Sequence, residues 1–146
     1  MKAAVFAASV LFSTSAVADF ALQQPIDCVL GETCYIQQFV DHTPGLGVSD
    51  FRCAGMSYEG HKGTDFGLIS LAQQRDGVNV LAAADGTVRG LRDGMDDILW
   101  KEGSSDVAGR ECGNGIVLSH EDGFETQYCH LAKGSVTVRQ GQSVQD

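Results

Sequence analysis

After residue 18, no stretch of this chain holds apolar residues at the sustained i, i+3, i+4 spacing that lets a helix bury one face. Apolar residues come instead in short runs stopped by glycine or Asp-Gly. Gly115 to Leu131 is the clearest case. Ile116-Val117-Leu118-Ser119-His120 reads as a strand, Glu121-Asp122-Gly123 as a turn, and Phe124 to Leu131 as the return strand. Strand side chains alternate, so Thr126, Tyr128 and His130 are expected on one face and Gln127 and Cys129 on the other. Val78 to Ala84, stopped by Asp85-Gly86 and followed by Thr87-Val88-Arg89-Gly90, gives a second hairpin signal. Val136 to Val144 alternates again around Gly141. Residues 19–60, broken by Gly31, Pro44, Gly45, Gly47, Gly55 and Gly60, read as an irregular lead-in with short strands. The fold class expected is all-β, built from short antiparallel hairpins in a sandwich or partly open barrel.

The chain's 146 residues allow one domain, and an apolar fraction of 43% is enough to pack its core. The formal net charge is −9 with no basic cluster, which excludes nucleic acid as the main partner. Leu91 to Gly113 concentrates Asp93, Asp96, Asp97, Glu102, Asp106 and Glu111 among glycines. Without the regular ligand spacing of a calcium loop, it reads as a solvated loop.

The N-terminus carries a three-part export pattern. Lys2 supplies the positive start, Ala3 to Phe12 a short apolar run, and Ala16-Val17-Ala18 the small-residue exit. Residues 1–18 are therefore expected to be a signal peptide, placing the protein in the periplasm or outside the cell. No apolar stretch is long enough for a membrane anchor. Export favours disulfides. Cys28 and Cys34 can close a local loop, and Cys112 and Cys129 can meet across the hairpin, which leaves Cys53 over. A zinc reading of the cysteines is weaker, because no Cys-x-x-Cys pair occurs.

His61-Lys62-Gly63-Thr64-Asp65 places an imidazole and a carboxylate four residues apart, on one face of either a helix or a strand. Gly60, Gly63 and Gly67 favour strand. Both groups suit Zn²⁺, although the spacing alone more often describes a surface His–Asp pair. Two further blocks follow. One is Val80-Leu81-Ala82-Ala83-Ala84-Asp85-Gly86-Thr87-Val88, and the other runs from Gly113 through His120, Gly123, Thr126, Tyr128 and His130 to Leu131. With these three blocks at these spacings, residues 55–146 resemble the M23 family of zinc metallopeptidases, the lysostaphin- or LytM-type peptidoglycan endopeptidases.

The resemblance implies roles. His61 and Asp65 would be two of three protein ligands to Zn²⁺, and His130 the catalytic histidine that binds no metal. His120 falls at a pre-turn histidine that is not a ligand, and His42 in a loop. Tyr128 either lines the cleft or packs. The implied substrate is the peptide crosslink of bacterial peptidoglycan. The family's third ligand belongs to a downstream His-x-His motif, and no histidine follows His130 here. The expected organisation is thus a signal peptide (1–18), a disulfide-stapled lead-in (19–54) that covers an edge strand or part of the cleft, and a peptidase domain (55–146) incomplete at its C-terminus. With two ligands this chain is expected to be inactive by itself. The alternative is a non-catalytic wall-binding or hydrolase-activating domain on the same scaffold. A carrier or lectin-like module with incidental histidines is the third reading.

Overall fold

The computed structural model describes residues 20–99, 101, 107–121 and 123–146. The expected signal peptide lies outside them, as do Glu102 and Asp106 of the acidic stretch. The described chain is nearly all β, as the short apolar runs require. In order it forms β1 (Cys34–Gln38), β2 (Asp65–Leu68), α1 (Leu71–Asp76), β3 (Gly86–Arg92), β4 (Gly115–Ser119), β5 (Glu125–Tyr128) and β6 (Ser143–Val144). All pairing between these strands is antiparallel. One sheet is β1-β2 and the other has the order β5-β4-β3-β6. Among the described residues the sheets do not close into a barrel.

The core of the larger sheet is a cross-strand pair. Val88 on β3 faces Leu118 on β4, and both are buried. Burying side chains of this size is worth about 1.5–3 kcal/mol each. The hairpin of β4 and β5 forms as the alternation predicts, with Leu118 opposite Thr126 and Ile116 opposite Tyr128. Its close approach depends on Gly115. A Cβ there would strike the Tyr128 carbonyl and stand 2.7 Å from Cys112 Sγ.

Three local readings change. The run Val78 to Ala84 does not fold back over Asp85-Gly86, because both edges of β3 are already taken by β4 and β6. It pairs with the lead-in instead. Gln23 N–H donates to Ala83 O (2.7 Å), Leu81 N–H to Pro25 O (3.0 Å) and Asp27 N–H to Asn79 O (2.9 Å). Secondly, α1 is a helical turn that the apolar spacing does not predict. Ser70 caps it by accepting from Gln73 N–H, and Gly77 ends it at φ 85°. The Ser-x-x-Gln and glycine signals are present, but a six-residue helix is too short to show an apolar stripe. Thirdly, β5 stops at Tyr128. His130 has the left-handed φ of 60°, and its N–H donates to Cys112 O at 2.9 Å. Strand alternation therefore does not carry through to His130.

The disulfides are Cys28–Cys34 and Cys112–Cys129, with Cys53 unpaired and exposed. The acidic stretch is more than a solvated loop. Asp97 accepts the Lys133 N–H at 3.0 Å, Asp93 accepts the Val136 N–H at 3.1 Å, and Asp96 pairs with the Lys133 ammonium at 2.6 Å. No helix among the described residues is long and apolar enough to cross a membrane.

Candidate metal centre

His61 enters its site from a loop fixed at both ends. Its N–H donates to Tyr58 O at 3.0 Å, and its carbonyl accepts Asp41 N–H at 2.8 Å. The Asp41 carboxylate accepts N–H bonds from Thr43, Ser49 and Gly60, which ties the residue before His61 to the same anchor. Those backbone donors, Thr43 first, then Gly60 and Ser49, hold the Asp41 carboxyl at about 2, well below its ordinary 3.8. Asp50 organises the neighbouring turn, accepting from Arg52, Ala54 and Met56. Tyr58 stacks on the His61 ring with centroids 4.3 Å apart.

The imidazole is buried, and its Nδ1 lies 2.8 Å from the Phe39 carbonyl oxygen. A carbonyl only accepts, so Nδ1 carries the proton. In the neutral ring Nε2 is then a bare lone pair. That lone pair faces Asp65 Oδ1 at 3.2 Å. Two acceptors do not rest at this distance unaided. A proton, on the ring or on the carboxyl, or a cation must lie between them.

The pair suits a zinc ion in two respects. Two donors on one tetrahedral zinc stand about 3.3–3.5 Å apart, given bonds of about 2.0–2.2 Å. A backbone carbonyl holding the other ring nitrogen is the usual support of a ligating histidine. Asp65 keeps 43% of its side chain exposed, so the open side is reachable by water and substrate. The set is nonetheless partial. Among the described residues no group of three His, Cys, Asp or Glu side chains gathers where it could hold a metal ion. His61 and Asp65 are brought together, and His130 does not complete a ligand set with them.

The family comparison now decides what the scaffold is. The family model described as "Peptidase family M23" matches residues 59–146. The chain belongs to peptidase family M23. No curated protein and no solved structure matched. Within this M23 scaffold the remaining histidines are distinguishable. Exposed His42 sits in a loop, its N–H bonded to Ser49 O at 2.7 Å. His120 is buried with both ring nitrogens engaged, Nδ1 at 2.7 Å from Asp85 O and Nε2 at 2.9 Å from Thr126 Oγ1. His130 is exposed beside the Cys112–Cys129 disulfide.

On the other face of β2, the neighbours of Asp65 border a cavity of about 310 Å³. Thr64 and Phe66 line it together with Thr126 and Tyr128 and with Leu22 and Pro25 of the lead-in. Tyr128 is thus a cavity wall, with its hydroxyl accepting Ala83 N–H at 2.8 Å. Phe39 and Asp41, the supports of His61, carry no signal in the amino-acid pattern. Phe39 acts through its carbonyl and Asp41 through backbone partners, and neither role selects a residue type at a fixed spacing.

Proposed function

We propose that this chain carries the metal-binding pair of a zinc metalloendopeptidase site acting on the peptide crosslinks of bacterial peptidoglycan. The observation that supports it is the facing of His61 Nε2 and Asp65 Oδ1, two acceptors that a divalent cation would reconcile. His61 and Asp65 would hold the zinc, and a third protein donor is required to leave one position open for water. The family resemblance assigns that donor to a His-x-His motif, and no histidine follows His130 in this sequence.

His61 and Asp65 would hold the ion, and the chemistry it would supply is Lewis acidity toward water and the scissile carbonyl. The residues here have separate roles. Phe39 O keeps His61 in the Nδ1–H tautomer and aims Nε2. Tyr58 shields one face of that ring from water. Asp65 supplies the negative charge and the exposed edge. His130, exposed to solvent, is the proposed catalytic histidine, taking or returning a proton at a ring nitrogen. The export pattern fits a substrate outside the cytoplasmic membrane.

A second reading, a non-catalytic wall-binding or activating domain, is favoured by one observation: no third ligand joins the pair among the described residues. Incubation of purified peptidoglycan with the full-length protein separates the two. Release of peptides with a new amino terminus inside the crosslink, lost on chelation, is the expected result. Wall binding without cleavage would establish the second reading.

A further inference from the structure

The third sequence block contains three residues that the metal reading does not use, namely His120, Thr126 and Tyr128. In the fold they form a chain of contacts. His120 Nε2 lies 2.9 Å from Thr126 Oγ1, which lies 3.0 Å from the Tyr128 hydroxyl. The far end of each is fixed. His120 Nδ1 faces Asp85 O at 2.7 Å, and the Tyr128 oxygen accepts Ala83 N–H at 2.8 Å. Gly86 makes room for this, since a Cβ there would stand 2.9 Å from both His120 Nδ1 and Ser119 O.

We propose that His120, Thr126 and Tyr128 form one hydrogen-bond relay whose direction sets whether Tyr128 donates into the cavity beside β2. Asp85 O can only accept, so neutral His120 carries its proton on Nδ1. Nε2 then accepts from Thr126, and Thr126 accepts from Tyr128, so the phenol proton is held inside the relay. When Nε2 gains a proton, every bond reverses. Nε2–H donates to Thr126, Thr126 donates to the Tyr128 oxygen, and the Tyr128 O–H turns outward. Only hydroxyl rotation and the one gained N–H are involved. The Tyr128 ring borders the cavity with Thr64 and Phe66, so the released O–H meets an acceptor seated there.

The charged groups near His120 among the described residues are few. Asp85 presents its carbonyl, while its carboxylate accepts Asp146 N–H at 3.0 Å. The Asp146 carboxylate binds the Gln23 amide. Glu121 follows His120 in an exposed turn. Glu125 lies on the opposite face of β5 from Thr126, paired with Arg89. The Phe20 ring covers the imidazole at 5.2 Å. The relay is therefore the direct polar route from Nε2.

Nitrogen-15 spectra of the histidine rings, with carbon-13 label at tyrosine Cζ, test this on the full chain; Tyr128→Phe assigns the resonance. Neutral His120 is expected as the Nδ1–H tautomer, with the Tyr128 Cζ resonance changing together with the His120 Nε2 resonance. In Thr126→Val, His120 should keep its tautomer while Tyr128 stops following it, and Thr126→Ser should restore the coupling. An Nε2–H tautomer in the neutral ring, or a Tyr128 resonance indifferent to His120 in the unaltered chain, would overturn the proposal even if Thr126→Val fails to fold. So would coupling that survives in folded Thr126→Val.

Discussion

His61 Nε2 stands 3.2 Å from Asp65 Oδ1, while Nδ1 of the same ring is committed to Phe39 O. The relationship gives the two residues a shared purpose that their spacing alone leaves open. It also shows how to separate the structural pair from the ligand pair. In Asp65→Asn an amide N–H replaces the carboxylate and can donate to the bare Nε2, preserving the contact without the charge. Stability should then change by less than about 1 kcal/mol, because the contact is kept and Asp65 is partly exposed. Zinc affinity should fall by more than the roughly 10–100-fold typical of a lost supporting residue. Calorimetry and urea unfolding on the same variant check both halves.

Asp41 makes the loop before His61 sensitive to acid. Its folded-state value of about 2 lies below the ordinary 3.8, so its contribution is fully present above about pH 4. That contribution is lost as pH falls toward 2. Amide exchange at Thr43, Ser49 and Gly60 should accelerate across this window. In Asp41→Asn the same amides should exchange fast already at neutral pH and show no further step there.

The Cys112–Cys129 bridge closes a loop of sequence separation 17 and sits against His130. For a loop of this length its removal should lower stability by about 3 kcal/mol. Because His130 N–H bonds to Cys112 O, the double Cys→Ala variant should also speed exchange of the His130 amide. Denaturant unfolding and hydrogen exchange measure the two effects.

Leu118→Ala opens space beneath Val88 in the larger sheet and should cost about 2–5 kcal/mol by urea denaturation.

Much of the fold is legible in the chain. Period-two alternation and the turn at Glu121–Gly123 place β4 and β5, because a one-residue slip would expose Leu118. The Cys28–Cys34 and Cys112–Cys129 pairs follow from local loop closure. Long-range partner choice is not legible. Val80 pairs with Ile26 far back in the lead-in, and nothing in either run names the other. The end of β5 is hidden for a similar reason. His130 looks like the next residue of an alternating strand, yet a disulfide at Cys129 and a bond to Cys112 O turn its backbone left-handed. At the candidate metal centre the sequence supplies both donors. The carbonyl that fixes their protonation belongs to Phe39, at a sequence separation of 22 from His61, and any residue can offer a carbonyl.

His130→Ala should leave metal binding intact and abolish hydrolysis in the full-length protein. Zinc titration beside a crosslink-cleavage assay distinguishes this from loss of the site.

What lies between His61 and Asp65 is read by zinc titration followed by nitrogen-15 spectra of the His61 ring. Zinc should shift Nε2 while leaving Nδ1 protonated, and His61→Ala or Asp65→Ala should remove the binding. A His61 Nε2 resonance unmoved by zinc, or zinc binding that survives both substitutions, would contradict it.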